Sequence, residues 1–173
     1  MIPLGNSLNA ETDQTGFCRM YMIRIKTDPT SPVLIAPCGI NCRLCRAYIR
    51  DKNACPGCRG EDTFKSKSCV MCKIRNCEKL VTGGMKYCFD CDEFPCGRLT
   101  HLDKRYRARY GTSPIDNLTS IREIGIRNFV ENENKKWICP ECGAMLCMHQ
   151  PQCLSCGYMW LKKIDTKQFR SGK

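Results

Sequence analysis

Apolar side chains recur at helical spacing in one stretch of this chain and almost nowhere else. Leu99, Leu102, Tyr106 and Tyr110 fall on one face, and Gly111 follows where a helix would stop. Ser113 and Pro114 then read as the N-cap and first residue of a second helix. Its stripe is Ile115, Leu118, Ile121 and Ile124, and Gly125 closes it. Ile126, Phe129 and Val130 start a third, short helix. On either side of this stretch no long period survives. The alternation of Tyr158, Trp160 and Lys162 predicts one short strand, and residues 20–26 predict another.

Composition explains why the pattern is so thin. Leu, Ile, Val and Phe account for 34 of the 173 residues, whereas Cys alone accounts for 17. An apolar core of that size does not hold a charged chain together, so the cysteines must be crosslinked. Residues 1–17 lack Lys, Arg and an apolar run, so no secretory signal is expected, and no segment is apolar enough to span a bilayer. A cytoplasmic, reducing setting favours metal ligation over disulfides. Repeated Cys-x2-Cys pairs agree, because two thiolates that close can share one tetrahedral ion. The formal net charge of +11 then loses weight. Each four-Cys zinc site carries a net negative charge, and several of them would cancel most of the excess.

The sharpest motif is Cys139-Pro-Glu-Cys142-Gly with Cys153-Leu-Ser-Cys156-Gly. Each half reads as a knuckle in which the glycine lets the backbone turn and aim N–H groups at sulfur. The pair predicts a zinc ribbon, with Cys147 and His149 in its insert as possible further ligands. Upstream, Cys38, Cys42, Cys45, Cys55, Cys58, Cys69, Cys72, Cys77, Cys88, Cys91 and Cys96 form a denser metal-binding module. Within it Cys69-x2-Cys72-x4-Cys77 is repeated as Cys88-x2-Cys91-x4-Cys96. Eleven thiols fall one short of three four-ligand sites, and His101 or Cys18 could supply the twelfth ligand. Thiolate-only sites suit iron–sulfur clusters as well as zinc. Cys38-x3-Cys42-x2-Cys45 also has radical-SAM spacing, but no barrel follows it.

The segments Pro37-Cys38-Gly-Ile-Asn-Cys42-Arg-Leu-Cys45-Arg-Ala-Tyr48, Cys55-Pro-Gly-Cys58-Arg-Gly60, Cys72-Lys-Ile-Arg-Asn-Cys77 and Cys88-Phe-Asp-Cys91-Asp-Glu-Phe-Pro-Cys96 occur in that order. On these motifs the chain resembles an uncharacterised cysteine-rich prokaryotic domain-of-unknown-function family, over residues 36–157. The resemblance implies metal binding and no particular activity.

The expected fold is a small metal-stabilised α+β protein. Residues 1–35 are a flexible extension, 36–100 an irregular multi-metal module, 101–137 a helical linker, 138–163 the zinc ribbon and 164–173 a basic tail. No nucleophile–base pair, carboxylate pair or phosphate loop is evident, and closed four-Cys sites serve structure better than catalysis. The leading expectation is a non-catalytic zinc-binding interaction module that contacts RNA, the ribosome or a protein partner. An iron–sulfur electron carrier or redox sensor is the alternative. Arg98, Arg105 and Arg109 on one flank of the first helix, Lys104 and Arg107 on the other, and Trp160 as a stacking platform are the candidate nucleic-acid contacts.

Overall fold

The structure, a computed structural model, describes residues 29–160. Tight turns and very short helices come first. A 3-10 turn at Pro32–Leu34 is followed by another at Cys42–Leu44, then α1 (Arg46–Ile49), α2 (Lys67–Val70) and α3 (Glu78–Thr82). A third 3-10 turn at Cys88–Asp90 leads into the two long helices, α4 (Gly97–Tyr110) and α5 (Pro114–Lys136). Among the described residues there is no sheet, only isolated antiparallel bridges at Ile35–Asn41, Ile138–Met145 and Gln152–Met159. The expected α+β class is thus corrected to a helix-rich fold. Each C-terminal hairpin arm runs only a few residues from knuckle to next turn, so it pairs once and ends. The strand expected through Tyr158 and Trp160 reduces to the bridge at Met159. Lys162 and the strand expected over residues 20–26 lie outside the described residues.

The helix signals correspond closely to what forms. Gly111 ends α4 in the left-handed region at φ 60°, and Ser113 Oγ caps α5 by accepting from the Asp116 N–H at 3.0 Å. Gly125 breaks α5 with φ 80° and ψ 157°, so the second and third expected helices are both present, and the third continues to Lys136. Ile124, expected on the apolar face, is 39% exposed, because the backbone leaves the helical path at the next residue.

Two apolar clusters result. In the first, Leu99 of α4 and Leu118, Ile121, Phe129 and Val130 of α5 cover Ile35, Cys38, Ile74, Leu80 and Tyr87 of the thiol-dense module. In the second, Leu44 packs with Trp137, Leu146 and Met148 and with the buried Cys139 and Cys153. At the expected boundary between residues 35 and 36, Ile35 and Ala36 are both buried in the first cluster.

The loop from Ile35 to Cys45 joins both clusters. Gly39 sits there at φ +84°, and a Cβ on it would meet Pro114 O at 2.5 Å and Leu118 Cγ at 2.8 Å. Only glycine allows this turn to press its backbone against the start of α5. Asn117 Nδ2 donates to Gly39 O at 2.9 Å, and the buried Asn41 Nδ2 donates to Glu133 Oε2 at 3.1 Å. Met148 N–H donates to Leu44 O at 3.0 Å, tying the C-terminal cluster to the same loop.

A buried carboxylate fixes the α4–α5 corner. Asp103 Oδ1 accepts from Ser113 Oγ at 2.5 Å and from Ile115 N–H at 3.1 Å, while Oδ2 accepts from Arg107 Nε at 2.6 Å. Burial alone would raise this carboxyl, but Ser113, Arg107 and the Ile115 amide outweigh it and hold it below the usual carboxylate value. A group with a lowered folded-state pKa contributes its stability in full above the unfolded-state value. That contribution disappears as pH falls through the folded-state value. Asp103→Asn should therefore cost roughly 1–3 kcal/mol near neutral pH, read as a lower urea midpoint, with the gap to wild type narrowing in acid. An equal gap at both pH values would show that the carboxylate charge is not what matters.

Candidate metal centres

The C-terminal thiols come together in two knuckles with the same backbone hydrogen-bond pattern. In the first, Cys139 N–H donates to Ala144 O, Gly143 N–H to Cys139 O, and Leu146 N–H to Trp137 O. In the second, the same three bonds run from Cys153 to Tyr158, from Gly157 to Cys153 and from Trp160 to Pro151. Gly143 and Gly157 hold φ 72° and 78°, the left-handed turn each knuckle requires. Facing each other, the knuckles bring the sulfurs of Cys139, Cys142, Cys153 and Cys156 all within 4.8 Å of one another. Cys139 Sγ lies 3.6 Å from Cys156 Sγ, and Cys142 Sγ lies 3.7 Å from Cys153 Sγ. Burial works against ionising Cys139, but the N–H groups of Cys142 and Glu141 and the neighbouring thiols bring its pKa down. This quartet is positioned to bind a metal ion.

Cys147 and His149 stand apart from it. Cys147 is fully buried, and burial, with a smaller push from the Cys45 thiol, raises its pKa against the lowering effect of the His149 and Gln150 N–H groups and the Arg46 charge. His149 Nδ1 accepts from Arg46 N–H at 3.3 Å, and its ring meets Tyr110 edge-on at 4.8 Å. Burial lowers its pKa, which keeps the imidazole neutral as a packing and hydrogen-bonding group. His101 is exposed on α4 and joins no group of converging ligands.

The eleven thiols from Cys38 to Cys96 are arranged more openly. All sixteen described cysteines are free thiols. Cys45, Cys77 and Cys96 are the N-cap residues of α1, α3 and α4, so each repeat of Cys-x2-Cys-x4-Cys ends at a helix start. Cys58 N–H donates to Cys42 Sγ at 3.3 Å. The loop carrying Cys58 is clamped from outside, since Lys65 Nζ and Arg75 Nε each donate to Cys58 O at 3.1 Å and both pair with Asp62. Burial, then the thiols of Cys58, Cys45 and Cys55, push Cys42 up to about 12 against the Cys58 N–H. Burial and the thiols of Cys96, Cys77, Cys91 and Cys72 do the same to Cys88, also to about 12. No three of these sulfurs converge as tightly as the C-terminal quartet.

The expected nucleic-acid contacts divide. Trp160 packs edge-on against Trp137 at 5.1 Å, its Nε1 is buried, and the half-buried ring packs against the second cluster. Arg107 is bound to Asp103 and Asp116, both at 2.6 Å, and Arg98 donates to Lys73 O at 3.4 Å. Lys104, Arg105 and Arg109 are exposed and form no ion pair among the described residues. Sequence reasoning missed Asp103, the Asn41–Glu133 pair and Arg43, which is 1% exposed with its guanidinium 5.8 Å from the Tyr48 ring centre. Asn41 and Arg43 lie within the first cysteine motif, but no spacing assigns a partner to them or to Asp103, and Glu133 lies 92 residues from Asn41.

Residues 34–101 match the family model described as Protein of unknown function (DUF3795). The match covers less than half of the chain and brings no assigned activity with it. The DUF3795 segment spans the thiol-dense module and the first turn of α4, and so begins at the buried Leu34 and Ile35. The resemblance read from the motifs extends to residue 157, but the match stops at 101, leaving α5 and the paired knuckles outside it. No curated protein and no solved structure is significantly similar to the chain.

Proposed function

We propose that Cys139, Cys142, Cys153 and Cys156 hold one structural zinc ion in a zinc ribbon, and that the chain is a metal-stabilised, non-catalytic binding module. The observation that carries this is the convergence of the quartet. A tetrahedron with Zn–S bonds of about 2.3 Å has edges of about 3.8 Å, close to the 3.6 and 3.7 Å separations across the knuckles. Four thiolates leave no open position for substrate or water, so the ion serves folding. Zinc suits such a site better than iron because it has no redox chemistry and no geometric preference of its own.

Cys142→Ser should release about one zinc per chain and loosen the second apolar cluster while α4 and the first half of α5 stay folded. Elemental analysis and hydrogen exchange read the two effects, and unchanged zinc content would remove the site.

For the partner, single-stranded RNA is the reading we favour. Support comes from Arg105 and Arg109, one helical turn apart and exposed, with Lys104 nearby. Reversing Arg105 and Arg109 to Glu should weaken binding to a single-stranded RNA and flatten its salt dependence by roughly 0.7 in log–log slope per lost contact. Binding that survives high salt and both reversals would point to a protein partner instead. The iron–sulfur reading has its own support, a second set of thiols around a cavity.

A further inference from the structure

The thiol-dense module contains a cavity of about 430 Å3, and Cys77, Cys88, Cys91 and Cys96 all line it. These are the last thiol of the first Cys-x2-Cys-x4-Cys repeat and all three of the second. Their elements differ. Cys77 and Cys96 are the N-caps of α3 and α4, and Cys88 and Cys91 bracket the 3-10 turn Cys88–Asp90.

Three features say what such a cavity would take. The sulfurs surround a large space, yet no three of them approach within 4.8 Å of one another, as the C-terminal quartet does. A single ion would touch too few of them and leave most of the volume empty. An iron–sulfur cluster places iron and sulfide between its thiolates and so holds four sulfurs farther apart than one ion can. The inner wall is apolar, formed by Ile74, Leu80 and the fully buried Leu99. Charge leans the same way, because Lys73, Lys79 and Arg98 line the cavity against the carboxylates of Glu78 and Glu93, and the N-terminus of the fourteen-residue α4 opens onto it at Gly97. Both favour an anionic occupant.

We propose that Cys77, Cys88, Cys91 and Cys96 ligate an iron–sulfur cluster in this cavity, each thiol giving up its proton to bond one iron. The site is separate from the proposed zinc at the C-terminal knuckles and stands or falls independently of it.

The test is an inventory of iron, acid-labile sulfide and zinc on the full chain purified without oxygen, for wild type, Cys91→Ala and Cys142→Ser. Wild type should be brown, with iron and sulfide in equal amounts. Cys91→Ala should lose iron and sulfide together and keep its ribbon zinc, whereas Cys142→Ser should lose zinc and keep iron and sulfide. An iron-free wild-type chain, or a Cys91→Ala variant that retains all its iron or loses zinc instead, would overturn the proposal. Should Cys91→Ala fail to fold, alkylation of the wild-type chain decides. Cys77, Cys88, Cys91 and Cys96 should resist the reagent until the cluster is bleached and then react together, and free reaction beforehand counts against the cluster.

Discussion

A thiol buried among other thiols resists ionisation, and this chain puts much of its interior chemistry in that position. Burial raises Cys38 well above its ordinary value and takes Cys42 and Cys88 up to about 12, with neighbouring sulfurs adding to the effect. A cation reverses the balance. Bound between the thiolates, it would offset their mutual repulsion and stand in for apolar contacts that a chain with so few branched aliphatic residues cannot supply. Folding would then be linked to metal and to pH, because every ligand must release a proton before it binds.

The loop from Ile35 to Cys45 carries that chemistry into the rest of the fold. Its first half lies in the cluster roofed by α4 and α5, and its last apolar residue, Leu44, belongs to the cluster under the knuckles. Gly39 presses against α5, Asn41 reaches Glu133, and Leu44 O receives Met148 N–H. Cys38, Cys42 and Cys45 therefore ride on the segment that joins the two halves of the molecule. A metal held at either end would act on this shared framework.

Features written within a few residues were legible in the sequence. Gly111, the Ser113–Pro114 start and the Gly125 break are local signals of backbone conformation, and all three operate as read. The knuckles were legible for the same reason, since both ligands and the turning glycine lie within five consecutive residues. Long-range partners were not. Asp103 depends on Ser113, Glu133 on Asn41, and Cys147 on its approach to Cys45, and none of these pairings leaves a spacing to recognise. Trp160 could be read two ways for the same reason, because a ring at a strand-like position can stack on a base or pack on another indole, and its edge-on contact with Trp137 leaves no mark in the sequence. The thiols from Cys38 to Cys96 could be counted but not partitioned, because turns far apart in sequence supply the neighbours of each sulfur.

Metal–thiolate bonding as the main support of residues 38–96 can be tested on the intact chain by following its unfolding before and after complete removal of metal under reducing conditions. If those bonds hold the module, the metal-free chain should lose its cooperative transition and exchange amide hydrogens rapidly throughout 38–96, and adding metal back should restore both. A metal-free chain that still unfolds cooperatively, with the same protection in that segment, would show that apolar burial suffices and would contradict this view of the fold.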